Sequence, residues 1–228
     1  MELVEQNLAN NTEAYLGANE EHQEVNIEKI SLRKKPIYAI IKRLFDFTMS
    51  LLGILICLIP MIIIAIIVKL SSKGPAFYKQ KRLGYKGKEF TLIKFRSMRV
   101  DAEANGAQWS QGDNDPRITK IGRILRKTRL DELPQLFNIL VGQMSIVGPR
   151  PERKVFYDQF ETYIHGFNQR LLVKPGLTGW AQVNGGYDLK PEEKIVYDIY
   201  YMKKRSLWLD IKCMFKTVLV VFNHKGAK

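Results

Sequence analysis

Two adjacent carboxylates, Asp131 and Glu132, stand in an apolar frame of Leu130, Leu133, Leu136 and Phe137, with arginines at 126, 129 and 150 on either side. Isolated carboxylates avoid apolar surroundings, because losing their water is costly. A side-by-side pair is worse, since each raises the other's pKa unless a cation compensates. The arginines, or a divalent metal, could compensate. Carboxylates, forked guanidinium donors and a metal also suit chemistry on a phosphorylated substrate. The bland alternative for an Asp-Glu pair is helix capping or a surface ion pair.

The elements around the pair must hold it. Glu132 to Leu140 reads as a helix with Pro134 early in it, where proline is tolerated, so both carboxylates fall at or near a helix N-terminus. The dipole there favours anions and its N–H groups can meet phosphate oxygens. Pro149 and Pro151 restrict the backbone around Arg150 and could hold its fork in place. Phe77 to Met98 alternates apolar and polar residues around Gly84, Gly87 and Lys88, which predicts a hairpin. Ala102 to Pro116 reads as loop; the polar cluster Asp113, Asp115 and Arg117 is loop structure or part of a site. Ile118 to Lys127 has helical spacing, and Glu152 to Leu172 reads as an aromatic-bearing helix. Lys174 to Tyr187 reads as a glycine-rich loop, in which Gln182 and Asn184 contact a nucleotide or make turn hydrogen bonds. Pro191 to Phe222 reads as one or two amphipathic helices mixing aromatics with lysines, suited to a headgroup layer or to a core with a solvated basic side.

Leu51 to Val68 is an uncharged apolar run. A full bilayer crossing needs about 20 apolar residues, so the length suffices. Pro60 falls near its middle and favours a kink. Both flanks are basic, with Lys42 and Arg43 before and Lys69 and Lys73 after, which puts both on the cytoplasmic side. A kinked helix that enters and returns on one face satisfies both observations; an ordinary kinked transmembrane helix is the alternative.

The chain has 228 residues and a net charge of +13, which points to an anionic partner. The charge is uneven, because residues 1 to 30 carry seven acidic side chains against one lysine and read as disordered or peripheral. Cys57 and Cys213 lack ligand-spaced neighbours, so a zinc site is not expected, and His22, His165 and His224 are scattered.

Several unusual words occur in one order from about residue 38 to 222. They are Lys42-Arg43 with Asp46, Gly74-Pro75, Gln80, Arg82, Phe95-Arg96-Ser97-Met98, Arg117-Ile118-Thr119, Leu130 to Gln135, Val147 to Pro151, Lys174 to Gly179, and Gln182 to Gly185. In these the chain resembles the bacterial monotopic polyprenyl-phosphate sugar-1-phosphate transferases. The resemblance implies that Asp131 is the nucleophile on the sugar-bearing phosphate of a UDP-sugar, releasing UMP. The phosphate of undecaprenyl phosphate then attacks the covalent intermediate, in the step that initiates capsule or exopolysaccharide synthesis. It implies Mg²⁺ held by Glu132 and a re-entrant membrane helix. Independently of the resemblance, Arg126 and Arg150 offer forked donors to phosphate, with structural ion pairs as the alternative. Lys42 and Arg43, at the helix mouth, could receive the acceptor phosphate. Ile59, Arg129 and Gly186 depart from residues common at those places in the family: Ser before the proline, a small hydroxyl residue, and Arg.

The expected architecture is α/β, mostly helical with a small sheet: an acidic tail over 1–35, a re-entrant membrane helix over 36–72, a cytoplasmic catalytic domain over 73–222 and a short tail over 223–228. The partners expected are a UDP-sugar, undecaprenyl phosphate and the bilayer at the cytoplasmic face of the cell membrane, with no nucleic acid and with a homodimer left open. The rival is a basic membrane-associated adaptor without catalysis. A lipid kinase is disfavoured because no P-loop motif is present.

Overall fold

A computed structural model describes residues 24–104, 106, 115–185 and 189–222 of the chain. Its longest element is helix α1, Pro36–Ser71. Proline stands at its first position, where no N–H is needed, and Pro60 lies inside it on the exposed side. Asp46, Ser50, Ile54, Met61 and Val68 are buried, and their spacing lines up one stripe of the helix. Leu51, Leu55, Ile59, Ile62, Ile66 and Leu70 are exposed on the remainder.

The stripe packs on the domain along most of its length. Ile54, Met61 and Val68 share a core with Phe95 and Leu125, and Ile121, Leu133, Leu136 and Leu140 pack against it. Both ends are fastened. Near the start, Arg43 Nη1 and Nη2 donate to the carbonyls of Ile139 and Leu140 at 2.9 and 2.7 Å, and Asp46 Oδ1 accepts from the Ile146 amide at 3.0 Å. At the end, Arg96 Nη2 donates to the Val68 and Ser72 carbonyls at 3.2 and 2.8 Å, and Nη1 to that of Lys73. Orphan carbonyls at the C-terminus of α1 are thereby satisfied by a buried guanidinium.

Strands β2 (Phe77–Leu83) and β3 (Glu89–Phe95) form the expected antiparallel hairpin, turning through Lys86 and Gly87 at positive φ. Strand β1 (Val25–Asn26) pairs in parallel with β5 (Ile164–His165), and β4 (Ser145–Val147) with β6 (Gly176–Thr178). Among the described residues the strands form three separate pairs rather than one small sheet. At β4–β6 the two backbones nearly touch: a Cβ at Gly176 would overlap Gly148 main chain, so glycine is required there.

The helices that follow differ in part from the sequence reading. Helix α2 covers Lys120–Lys127, capped by Thr119 Oγ1, which accepts from the Gly122 amide at 2.9 Å. A 3-10 turn holds Leu130–Glu132, and α3 begins only at Gln135 and ends at Leu140. The carboxylates thus lie in a 3-10 turn that runs through Leu133 and Pro134, both in the right-handed helical region, into a short helix, so they stand near its N-terminus and not within it. Arg129, at φ 57°, makes the left-handed break that separates the turn from α2. The helix expected over Glu152–Leu172 is broken into α4 (Lys154–Glu161), β5 and a 3-10 segment, Phe167–Leu172. Gly166, at φ 99°, reverses the chain between the last two. The stretch expected as loop after Lys174 contains β6 and α5 (Trp180–Asn184).

Two amphipathic helices close the described chain, α6 (Pro191–Lys204) and α7 (Leu207–Phe222). Leu209, Asp210 and Cys213 of α7 are buried, while Trp208, Ile211, Phe215, Val218 and Leu219 are exposed on its opposite side. Residues 25–32, read from sequence as part of a peripheral tail, pack on the domain: Ile30 is buried beside Val147 and Met202, and its amide donates to Gln169 Oε1 at 2.6 Å. Residues 1–23 lie outside the described residues.

Candidate active site

Asp131 and Glu132 are 6% and 8% exposed, so both carboxylates are largely stripped of water. Apolar neighbours hold them there: Leu133 packs against the α1 core and the turn lies against β3 and α2. The two acids have different surroundings. Glu132 Oε1 accepts from Arg150 Nη2 at 2.5 Å, with the Glu132 side chain 11% and the Arg150 side chain 28% exposed. Burial pushes the Glu132 carboxyl up, but the charge and hydrogen bond of Arg150 outweigh it and hold the group below the usual range. Asp131 makes no side-chain hydrogen bond among the described residues. Burial, then the neighbouring Glu132 charge, push its carboxyl up to about 6, against the opposing charges of Lys94, Arg126 and Arg150. Two neighbouring acids driven apart in this way are suited to separate roles.

Lys94, on β3, is the cation that acts most strongly on Asp131. Burial pulls its ammonium down to about 8, against the Asp131 charge that favours it. The sequence reading missed Lys94. The signal was there, a lysine two residues beyond Leu92 and four beyond Phe90, on the apolar face of an alternating strand.

The remaining candidates divide. Arg126 and Arg150 both act electrostatically on Asp131, so the structure brings them to the dyad. Lys42 and Arg43 are engaged elsewhere. Lys42 Nζ pairs with Asp210 Oδ2 at 2.9 Å, and that carboxylate also accepts from Tyr38 and Tyr201 hydroxyls at 2.9 and 2.7 Å. Arg43 caps α3 as described above. Lys174, which the sequence reading passed over, joins them: burial lowers its ammonium, and the Arg43 charge lowers it further. Gln182 Nε2 donates to the Leu177 carbonyl at 3.0 Å, while its Oε1 is buried without a partner among the described residues. Asn184 bonds the Trp180 carbonyl at 2.6 Å and accepts from Lys216 at 2.7 Å, which is the local bonding set out as the alternative to a nucleotide contact. Asp115 and Arg117 form a local ion pair at 2.6 Å that ties the loop, and Asp113 lies outside the described residues, as does Gly186.

Among the described residues no three His, Cys, Asp or Glu side chains cluster as a metal cage. Mg²⁺ does not require one, since it is commonly held by one or two carboxylates with substrate phosphates and water. Glu132 offers its second oxygen and Asp131 both of its own, so the donor set fits such an ion.

Residues 37–224 match the family described as Bacterial sugar transferase. The chain is 44% identical over 201 residues to the UDP-N-acetylgalactosamine-undecaprenyl-phosphate N-acetylgalactosaminephosphotransferase of Aeromonas hydrophila, covering 87% of this chain and 47% of that one. It is 43% identical over 193 residues to the UDP-glucose:undecaprenyl-phosphate glucose-1-phosphate transferase of Escherichia coli K12, covering 82% and 41%. A putative undecaprenyl-phosphate N-acetylgalactosaminyl 1-phosphate transferase of Bacillus subtilis is 46% identical over 160 residues, covering 70% and 89%. The chain therefore spans less than half the length of the first two relatives and most of the third.

Proposed function

Because the chain belongs to the bacterial sugar transferase family, we propose that it transfers a sugar 1-phosphate from a UDP-sugar to undecaprenyl phosphate, initiating a surface polysaccharide. The observation that carries this reading is the contrast between adjacent carboxylates, one paired to Arg150 and one without a side-chain hydrogen bond among the described residues.

An Asp131 carboxylate oxygen attacks the phosphorus that bears the sugar. The new P–O bond forms as the bridging P–O bond to UMP breaks, and UMP leaves with the electron pair. An oxygen of undecaprenyl phosphate then attacks the same phosphorus and displaces the carboxylate, giving the diphosphate-linked sugar. Neither displacement needs a proton from the protein. A raised pKa makes Asp131 a better nucleophile while leaving it mostly ionised at neutral pH. Arg126, Arg150 and Lys94 supply fixed positive charge for the transferring phosphoryl group. Mg²⁺, held by Glu132, would neutralise phosphate charge when bound.

The membrane arrangement follows from α1. As a helix that enters and leaves on one face, it presents its exposed apolar side to lipid and its buried stripe to the domain. The contacts from Arg43 to Val68 support this reading, because a crossing would draw α2, with Lys120, Arg123, Arg126 and Lys127, into hydrocarbon. Helix α7 would lie in the headgroup layer with Trp208 and Phe215 inward. Lys212 and Lys216 sit over the Trp180 ring at 5.5 and 4.9 Å, near that layer. Lys174, with Arg43 near it, would then give positive potential at the helix mouth for the acceptor phosphate, while the charge of Lys42 is met by Asp210. The catalytic domain, on this reading, is the cytoplasmic part over 73–222.

The test is UMP release by detergent-purified protein with Mg²⁺, undecaprenyl phosphate and a panel of UDP-sugars. Release with one sugar, lost with EDTA, supports the transferase. Membrane binding without release by folded protein favours the adaptor.

A further inference from the structure

Arg150 meets Glu132 from a segment whose carbonyls are each fixed. The Pro149 carbonyl accepts from the Gly176 amide at 2.9 Å and that of Glu152 from the Leu83 amide at 3.0 Å. The Pro151 carbonyl accepts from Arg82 Nη1 at 3.3 Å. The Arg150 carbonyl itself accepts from Arg170 Nη2 at 2.9 Å.

Arg170 differs from the other three donors in its setting. Its side chain and that of Asp198 are each 2% exposed, and Arg170 Nε donates to Asp198 Oδ2 at 2.7 Å. The guanidinium lies over the Phe167 ring at 4.7 Å and the Tyr157 ring at 5.6 Å, and Nη1 reaches the Tyr157 hydroxyl at 3.5 Å. A buried ion pair is a poor device for stability, because desolvation consumes much of its attraction and apolar residues of similar volume serve as well. What this pair does that apolar residues could not do is hold a rigid, planar fork at a set angle. One branch of that fork grips Asp198 of α6; the other ends on the residue that pairs with the dyad.

We propose that Arg170 and Asp198 form a positioning pair, fixing the main chain at Arg150 so that its guanidinium stays aimed at Glu132. Neither residue touches the dyad. They act through Arg150, and the route Asp198–Arg170–Arg150–Glu132 consists of contacts of 2.5 to 2.9 Å. The kinetic part of the test rests on the transferase reading above; the chemical part does not.

The test compares wild type with Arg170→Lys and Asp198→Asn. A lysine keeps the positive charge beside Asp198, but one ammonium cannot span both Asp198 and the Arg150 carbonyl. The asparagine keeps the shape and weakens the grip on Arg170. In substrate-free protein, phenylglyoxal modification of Arg150, followed by peptide mass spectrometry, should speed up several-fold in both variants. Modification of Arg96, the buried cap of α1, should stay at the wild-type rate and so report an intact fold. With substrates, kcat should fall about 10- to 100-fold while the KM for the UDP-sugar moves less than about 3-fold, as expected for a mis-set charge near the reacting centre. Unchanged Arg150 reactivity in either folded variant overturns the proposal. So does a parallel rise at Arg96, which would mean general loosening. If wild type releases no UMP from any donor, the transferase reading fails, and the modification rates still decide the positioning role.

Discussion

Glu132 and Arg150, eighteen residues apart in sequence, meet at 2.5 Å, while Asp131 beside them makes no side-chain hydrogen bond among the described residues. That single contact makes two neighbouring acids unequal. It lowers one and leaves the other raised by burial, so the chain presents one paired carboxylate and one with a raised pKa.

Asp131→Asn should abolish UMP release, with a loss of at least about 10³-fold, as for removal of a nucleophile. The same variant should be more stable than wild type at neutral pH. The folded-state pKa of Asp131 lies above the unfolded value of 3.8, so the folded state binds the extra proton between about 4 and 6. Stability from this group is present below that window and lost as pH rises through it. Asparagine carries no such cost, and its gain in Tm should shrink as pH falls toward 4. A Tm no higher than wild type at pH 7.5 would count against a destabilised Asp131.

The acid limb of the wild-type pH profile should have its midpoint near 6, where Asp131 takes up its proton. A limb that continues level to pH 4.5 would mean that an ordinary exposed carboxylate does the work.

Arg150→Lys keeps a positive charge but loses the fork. A fall of about 10²-fold in kcat/KM is expected for the loss of one fixed donor at a phosphoryl centre. Full activity in the lysine variant would reduce Arg150 to a simple counter-charge.

Lys174→Ala should raise the KM for undecaprenyl phosphate by about 3- to 10-fold, as loss of one cation contact to a phosphate would, and leave that for the UDP-sugar unchanged. Lys42→Ala and Arg43→Ala should instead lower Tm first, because each breaks a buried contact that holds α1 to the domain. An acceptor KM that ignores all three changes would remove this cluster from the acceptor site.

Cysteines placed at Lys34 and Lys73, on a background without Cys57 and Cys213, should both be protected from a membrane-impermeant thiol reagent in intact cells. Labelling of one and not the other would show that α1 crosses.

The sequence by itself determined the family and pointed to the acidic pair: Asp131 and Glu132 stand among apolar residues with arginines near them, an apolar run has basic flanks, and family words cover most of the chain. It also determined the hairpin of β2 and β3, because alternation and turn glycines are local signals. Only the tertiary structure decided which acid is paired, since Arg150 reaches Glu132 through the β4–α4 connection and no local pattern records that distance. It moved Lys42 and Arg43 from free cations to fastened ones, because their partners, Asp210 and the end of α3, lie about a hundred or more residues away. It brought Lys94 to Asp131 and fixed both ends of α1 to one domain. A charge in sequence carries only its sign, and what it does depends on burial and on neighbours that the fold supplies.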